Sequence, residues 1–192
     1  MSKNIKKSEF KKSNWKRFKK TTCSINKINL KKEIKIEKNE KIGLSASKIN
    51  SYLANLPNFL GCYAQDQLIN ITFKSLPVFF VVNFDPSYAQ GSHWVAIRVS
   101  KKSVEVYDTL GFDVRKWPSV PKFLLYFLHK FTSHRKLYLL KNIQSQSSTL
   151  CGFYCIFFII FRSTNNFKSC NNVFTSNLNL NDEILYDMID QL

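Results

Sequence analysis

The run Cys151-Gly-Phe-Tyr-Cys-Ile-Phe-Phe-Ile-Ile-Phe161 decides how this chain folds. It is apolar on every side, so as a helix it can only be the buried centre of a domain. Its unbroken apolar part, Phe153 to Phe161, is nine residues, far short of the roughly 20 that span a bilayer. The polar run Gln144-Ser-Gln-Ser-Ser-Thr149 comes just before it. Cys151 therefore stands where a polar loop enters a buried helix.

Working outward, Val78-Phe-Phe-Val-Val-Asn-Phe84 is a continuous run of β-formers and reads as a buried central strand. His93 to Val99 and Val104 to Asp108 read as a hairpin around Ser100-Lys-Lys-Ser103. His93, Val95, Ile97 and Val99 share one face, as do Val104, Val106 and Asp108. Leu137 to Ile143 is a further predicted strand, and Phe59 to Leu68 a predicted loop. Leu44, Ile49, Leu53 and Leu56 lie near one helical face, with Ser45 or Ser47 as N-cap and Pro57 as stop. Pro118 to Phe131 carries a stripe of Phe123, Phe127 and Leu128. Asn181 to Leu192 carries Ile184, Leu185, Met188 and Ile189. Helices around a contiguous set of strands predict an α+β domain.

With 192 residues, 44% apolar and seventeen Phe, the chain can build one core and is not a disordered chain as a whole. Five Gly and five Pro exclude collagen-like and low-complexity classes. The net charge of +16 is uneven. Residues 1–41 hold 15 Lys/Arg against 4 Asp/Glu, a net +11; residues 42–192 hold 14 against 9, a net +5. Residues 1–41 are expected to be a basic, disordered arm with nucleic acid as its partner, and 42–192 a mildly basic domain. Cys23, Cys62, Cys151, Cys155 and Cys170 are an odd number without a staple-like pattern, which fits a reducing compartment. No apolar secretory segment opens the chain, so secretion and membrane attachment are not expected.

Among the titratable residues, His129 and His134 read as surface residues, whereas His93 opens a strand. A turn at Ser100-Lys101 sets His93 directly opposite Asp108; a turn at Lys101-Lys102 leaves them diagonal. Either way they share a face within reach of each other. A carboxylate there would fix the imidazole tautomer and favour its protonated form. Glu105 falls on the opposite face by parity and is the poorer partner. Cys151, at a helix start, feels the positive end of the helix dipole, which favours thiolate. Gly152 beside it is expected to let a substrate backbone approach. Cys155, one turn inward, reads as a buried inert thiol. No second Cys/His pair accompanies Cys151 and Cys155, so no metal and no cofactor are expected. An oxyanion would find donors in the Cys151 amide and in the side chain of Gln144 or Gln146.

The strings Gly91-Ser-His-Trp-Val-Ala96, Val106-Tyr-Asp-Thr-Leu-Gly-Phe112 and Gln144-(six residues)-Cys151-Gly-Phe-Tyr-Cys155 resemble the adenovirus-type cysteine endopeptidases. Their relatives in polinton-like elements, adintoviruses and virophages look nearer still. The order His, acid, Gln, Cys is shared with the wider clan of SUMO and ubiquitin-like-protein proteases. Asn58-Phe-Leu-Gly-Cys-Tyr63 is similar to the early glycine loop of the viral branch, and Phe79-Phe-Val-Val-Asn-Phe84 to its strand before the histidine.

The resemblance implies a papain-like variant with a central mixed sheet and the nucleophile at the start of a buried central helix. It implies Cys151 as nucleophile, His93 as base and then acid, and Asp108 as orienter. It selects Gln144 over Gln146 as the oxyanion partner of the Cys151 amide. The implied activity is cleavage of capsid or other virion precursors, after small residues, in the virion or at the nuclear or cytoplasmic site of virus assembly. The third member is Asp108 where the adenoviral enzyme has Glu, and no residue matches the cysteine that holds that enzyme's activating peptide. A monomer is expected. The rival readings are a protease for SUMO or another ubiquitin-like modifier, and a non-enzymatic nucleic-acid-packaging protein.

Overall fold

The computed structural model describes residues 43–111, 113 and 120–189. The basic arm 1–41, with Cys23, lies outside the described residues, as does Pro118. Five strands form one mixed sheet in chain order: β1 (Phe59–Ala64), β2 (Val78–Asn83), β3 (Trp94–Val99), β4 (Ser103–Tyr107) and β5 (Arg135–Tyr138). β1 and β2 run parallel, β2, β3 and β4 alternate antiparallel, and β4 and β5 are parallel. The helices are α1 (Ala46–Leu53), α2 (Lys122–His129), α3 (Cys151–Thr164), α4 (Phe167–Asn171) and α5 (Leu178–Ile189). The expected α+β class with a mixed sheet is what the chain adopts.

The pleat of the strands divides the core in two. Phe79, Val81, Ala96 and Tyr107 face α3, which is buried from Cys151 through Phe161 on all sides. Tyr107 stacks on Phe158 with ring centroids 4.4 Å apart. Phe80, Val82, Val95, Ile97, Val104 and Val106 point the other way, onto Leu124, Phe127 and Leu128 of α2. Each fully buried Phe or Leu contributes about 2 kcal/mol from apolar area alone, and α3 supplies the densest set. Among the described residues no helix is long and apolar enough to cross a membrane.

β2 is buried throughout, as its composition predicts, but sits second in the sheet, with β3 at the centre. The hairpin register is Val99 with Val104 and Ile97 with Val106, which is the turn at Lys101-Lys102. The Ser100 amide donates to the Ser103 carbonyl across it (2.9 Å). Ser45 is the N-cap of α1, accepting from the Lys48 amide at 3.3 Å.

Four boundaries differ from the sequence reading. The predicted loop 59–68 is strand β1 followed by a 3-10 helix, Gln65–Asn70. No alternation marks that strand, because all six of its residues are half-buried at the sheet edge and its register shifts between Phe59 and Cys62. The predicted strand 137–143 is Arg135–Tyr138 instead; Leu140 is exposed, and Ile143 and Gln144 donate to the Thr109 carbonyl rather than to a strand. α2 begins after Pro121, and Leu124 takes the core position expected of Phe123. α5 starts at Leu178, with the Asn177 side chain accepting from the Leu180 amide. Asn181 is therefore inside the helix, where its Nδ2 donates to the Ile143 carbonyl at 2.9 Å.

Candidate active site

The sheet ends that face away from the hairpin turn carry the chemistry. His93 immediately precedes β3 and Asp108 immediately follows β4. His93 Nε2 and Asp108 Oδ1 are 2.7 Å apart, and both residues are buried. Cys151, the first residue of α3, lines the same cleft as His93. With Nε2 held by the carboxylate, Nδ1 is the ring nitrogen left for the thiol. Gln144 lines the same cleft, which has a volume of about 970 Å³. Thus His93, Asp108, Gln144 and Cys151, distant in sequence, meet in one place.

Each is fixed by its surroundings. The Phe84 amide donates to the His93 carbonyl (2.9 Å), and the Phe84 ring meets the imidazole edge-on at 5.1 Å. Asn83 at the end of β2 takes the amides of Asp85 (2.9 Å) and Ser92 (3.3 Å) on its Oδ1. Gly91 has φ 89°, and a Cβ there would lie 2.7 Å from Asn83 Nδ2, so the loop that delivers His93 requires glycine. Asp108 Oδ1 also accepts the Leu110 amide at 2.9 Å. That turn closes through the Gly111 amide donating to the Asp108 carbonyl (3.1 Å).

Burial alone would lower the His93 pKa. The hydrogen bond to Asp108, then the nearby Cys151, with the charges of both, outweighs it and holds the imidazole up at about 9. At neutral pH this environment favours imidazolium, the partner a thiolate needs. No side chain caps the N-terminus of α3, where Leu150 is the N-cap. The positive end of the α3 dipole therefore lies at Cys151, the first residue of the helix.

Gln144 is 3% exposed, whereas Gln146 is exposed, so geometry separates the two glutamines. Gln144 Oε1 accepts from the Thr109 hydroxyl (2.5 Å), and Nε2 donates to the Ser148 carbonyl (2.8 Å). An amide nitrogen carries two N–H groups, so one remains for the cleft. Thr109 and Ser148, and Asn83 behind the histidine loop, escaped the sequence reading. Their only signals were an Asn ending an apolar strand and a Thr directly after the acid.

Glu105 is on the opposite face, buried, and bonded to Arg98 (2.7 Å) and Arg162 (2.7 and 2.8 Å). Cys155 is fully buried and its thiol is pushed well up, first by burial and then by the Cys151 charge. Burial raises Cys62, half-buried in the cleft, to about 12. His129 is exposed, and His134 is half-buried with its ring 5.1 Å from that of Phe131. Gly152 does not face the substrate space. A Cβ on it would lie 2.9 Å from Leu44 Cβ and 3.2 Å from Ile49 Cδ1, so its lack of a side chain serves core packing. Neither the protein-family models nor the curated proteins searched contain a match to this chain.

Proposed function

We propose that this chain is a cysteine endopeptidase of the adenovirus type, on a papain-like variant fold, that cleaves capsid or other virion precursors. The observation that carries the reading is one imidazole bonded to Asp108 at 2.7 Å in the cleft that the Cys151 thiol lines from a helix start. A structural His–Asp pair has no need of a thiol at a helix start beside it, nor of a buried amide side chain in the same cleft.

In the proposed cycle His93 holds the proton of Cys151 as an ion pair. The thiolate attacks the peptide carbonyl carbon, and its oxygen takes the negative charge. The Cys151 amide and the free N–H of Gln144 receive that oxyanion. His93 gives its proton to the leaving amine as the C–N bond breaks, leaving a thioester. His93 then takes a proton from water, the hydroxide attacks the thioester, and the carboxylic product leaves as the thiolate and imidazolium re-form. Asp108 holds the ring throughout and stays ionised.

The basic arm 1–41 fits a polyanion such as packaged DNA, which would hold the protease near substrates in an assembling virion. The test is incubation of wild-type and Cys151→Ala protein with the capsid precursors of the encoding element, followed by mass-mapping of new termini. Cleavage by wild type alone supports the reading, and cleavage by both proteins overturns it. Covalent reaction of Cys151 with SUMO or ubiquitin probes in place of precursor cleavage would assign the same chemistry to a modifier protease. Salt-sensitive DNA binding without any Cys151-dependent cleavage would leave the packaging reading.

A further inference from the structure

We propose that Thr109 is a positioning residue for the oxyanion hole, fixing which end of the Gln144 amide faces the cleft. The inference rests on the endopeptidase reading of the same site. The nitrogen and oxygen of a glutamine amide are nearly the same size, so shape alone does not choose between them. Here neighbours choose. The Ser148 carbonyl can only accept, and Nε2 donates to it at 2.8 Å. The Thr109 hydroxyl then meets Oε1 and donates to it. Both residues are buried, Thr109 completely, so water cannot replace the hydroxyl without entering the core.

Thr109 is also tied to this loop by its backbone. Its carbonyl accepts the amides of Ile143 (2.8 Å) and Gln144 (3.2 Å). A change confined to the side chain leaves those bonds in place and isolates the hydroxyl. In Thr109→Val, of similar shape, Oε1 becomes a buried acceptor without a donor. Such a group moves toward water or turns over, and either motion takes an N–H away from the developing oxyanion. The preceding residue, Asp108, is held by His93 and the Leu110 amide, neither of which uses the Thr109 hydroxyl. One dipeptide therefore serves two tasks, with Asp108 orienting the base and Thr109 orienting the amide.

The experiment compares full-length wild type, Thr109→Val, Thr109→Ser, Gln144→Ala and the Thr109→Val/Gln144→Ala pair on one precursor-derived peptide. Thr109→Val should lose about 10- to 100-fold in kcat, at most the loss of a whole oxyanion donor, with KM within about twofold. Thr109→Ser, which keeps the hydroxyl, should restore kcat. The pair should be no slower than Gln144→Ala alone, because both changes remove one function. The pH profile of Thr109→Val should keep its limbs. If Thr109→Val does not fold, Thr109→Ala removes the same hydroxyl and is read identically. Wild-type kcat in the valine variant, a displaced pH limb, or losses that multiply in the pair would each overturn the Thr109 role while leaving the endopeptidase reading intact. A wild-type protein with no Cys151-dependent cleavage would overturn both.

Discussion

His93 and Asp108 meet diagonally across the end of a hairpin. The paired positions run from Val99 with Val104 to Ala96 with Tyr107, and the same register sets Val95, not His93, opposite Asp108. The 2.7 Å contact between Nε2 and Oδ1 is therefore made by two residues just beyond the ladder. Directly paired side chains would stand parallel on the sheet. Beyond the ladder the imidazole lines the cleft shared with Cys151, the first residue of α3.

Replacing Asp108 with Asn should shift the alkaline limb of Cys151 reactivity toward lower pH. Against burial, the Asp108 hydrogen bond and charge lift the imidazole to about 9 together with the nearby Cys151. Without that charge the imidazolium loses its proton at a lower pH. The rate of Cys151 alkylation by iodoacetate, an anion that the imidazolium attracts, reads this against pH. An unmoved limb would mean that Asp108 does not tune the ring. Turnover should fall at least tenfold as well, because Asn holds the ring without favouring its charged form.

The same coupling has a stability consequence. A folded-state pKa of about 9 against an ordinary 6.5 means that folding favours protonated His93. That stabilisation is fully present below pH 6.5 and is lost as pH rises through 9. Wild type minus His93→Gln should then differ by at most about 3 kcal/mol on the acid side, at 1.36 kcal/mol per unit. Urea unfolding at pH 6, 7.5 and 9.5 measures the difference. A gap that widens with pH would contradict the assignment.

Legibility in the sequence followed how local each signal was. The α3 run, the β2 run and the β3–β4 alternation each carry their period within a few residues, and all three elements are present. The His93–Asp108 contact was readable because hairpin parity holds in either register. β1 and β5 were misjudged because each pairs in parallel with a strand remote from it or reached by a long crossover. Their burial is set by that partner rather than by their own alternation. Gln144 could be told from Gln146 in the sequence only by resemblance. Its defining contacts, to Thr109 and Ser148, need the folded loop.

Glu105 should matter for folding and not for chemistry. Its carboxylate is 1% exposed and joins Arg98 of β3 to Arg162 of α3. Removing one partner of a buried ion pair costs about 3–5 kcal/mol, because the other charges stay behind. Glu105→Gln should therefore lower the urea midpoint strongly. Turnover per titrated Cys151 thiol should stay within about twofold in the fraction that remains folded. A loss of turnover with full stability would instead draw Glu105 into the active site.

Gly152→Ala separates two roles for the residue after Cys151. If glycine were there for substrate approach, a methyl group would raise KM and leave folding untouched. The structure sets the missing side chain against Leu44, at 2.9 Å between Cβ positions. Neither atom is the free end of a flexible side chain, so α3 or the segment before α1 must shift. Trp94 resists that shift, since its indole N–H donates to the Leu44 carbonyl at 2.8 Å. Overpacking of this kind costs about 1–3 kcal/mol, and the displaced helix start carries the thiol with it. Gly152→Ala should lower the melting temperature and reduce kcat together. A variant with unchanged melting temperature and a raised KM would return the glycine to the substrate side.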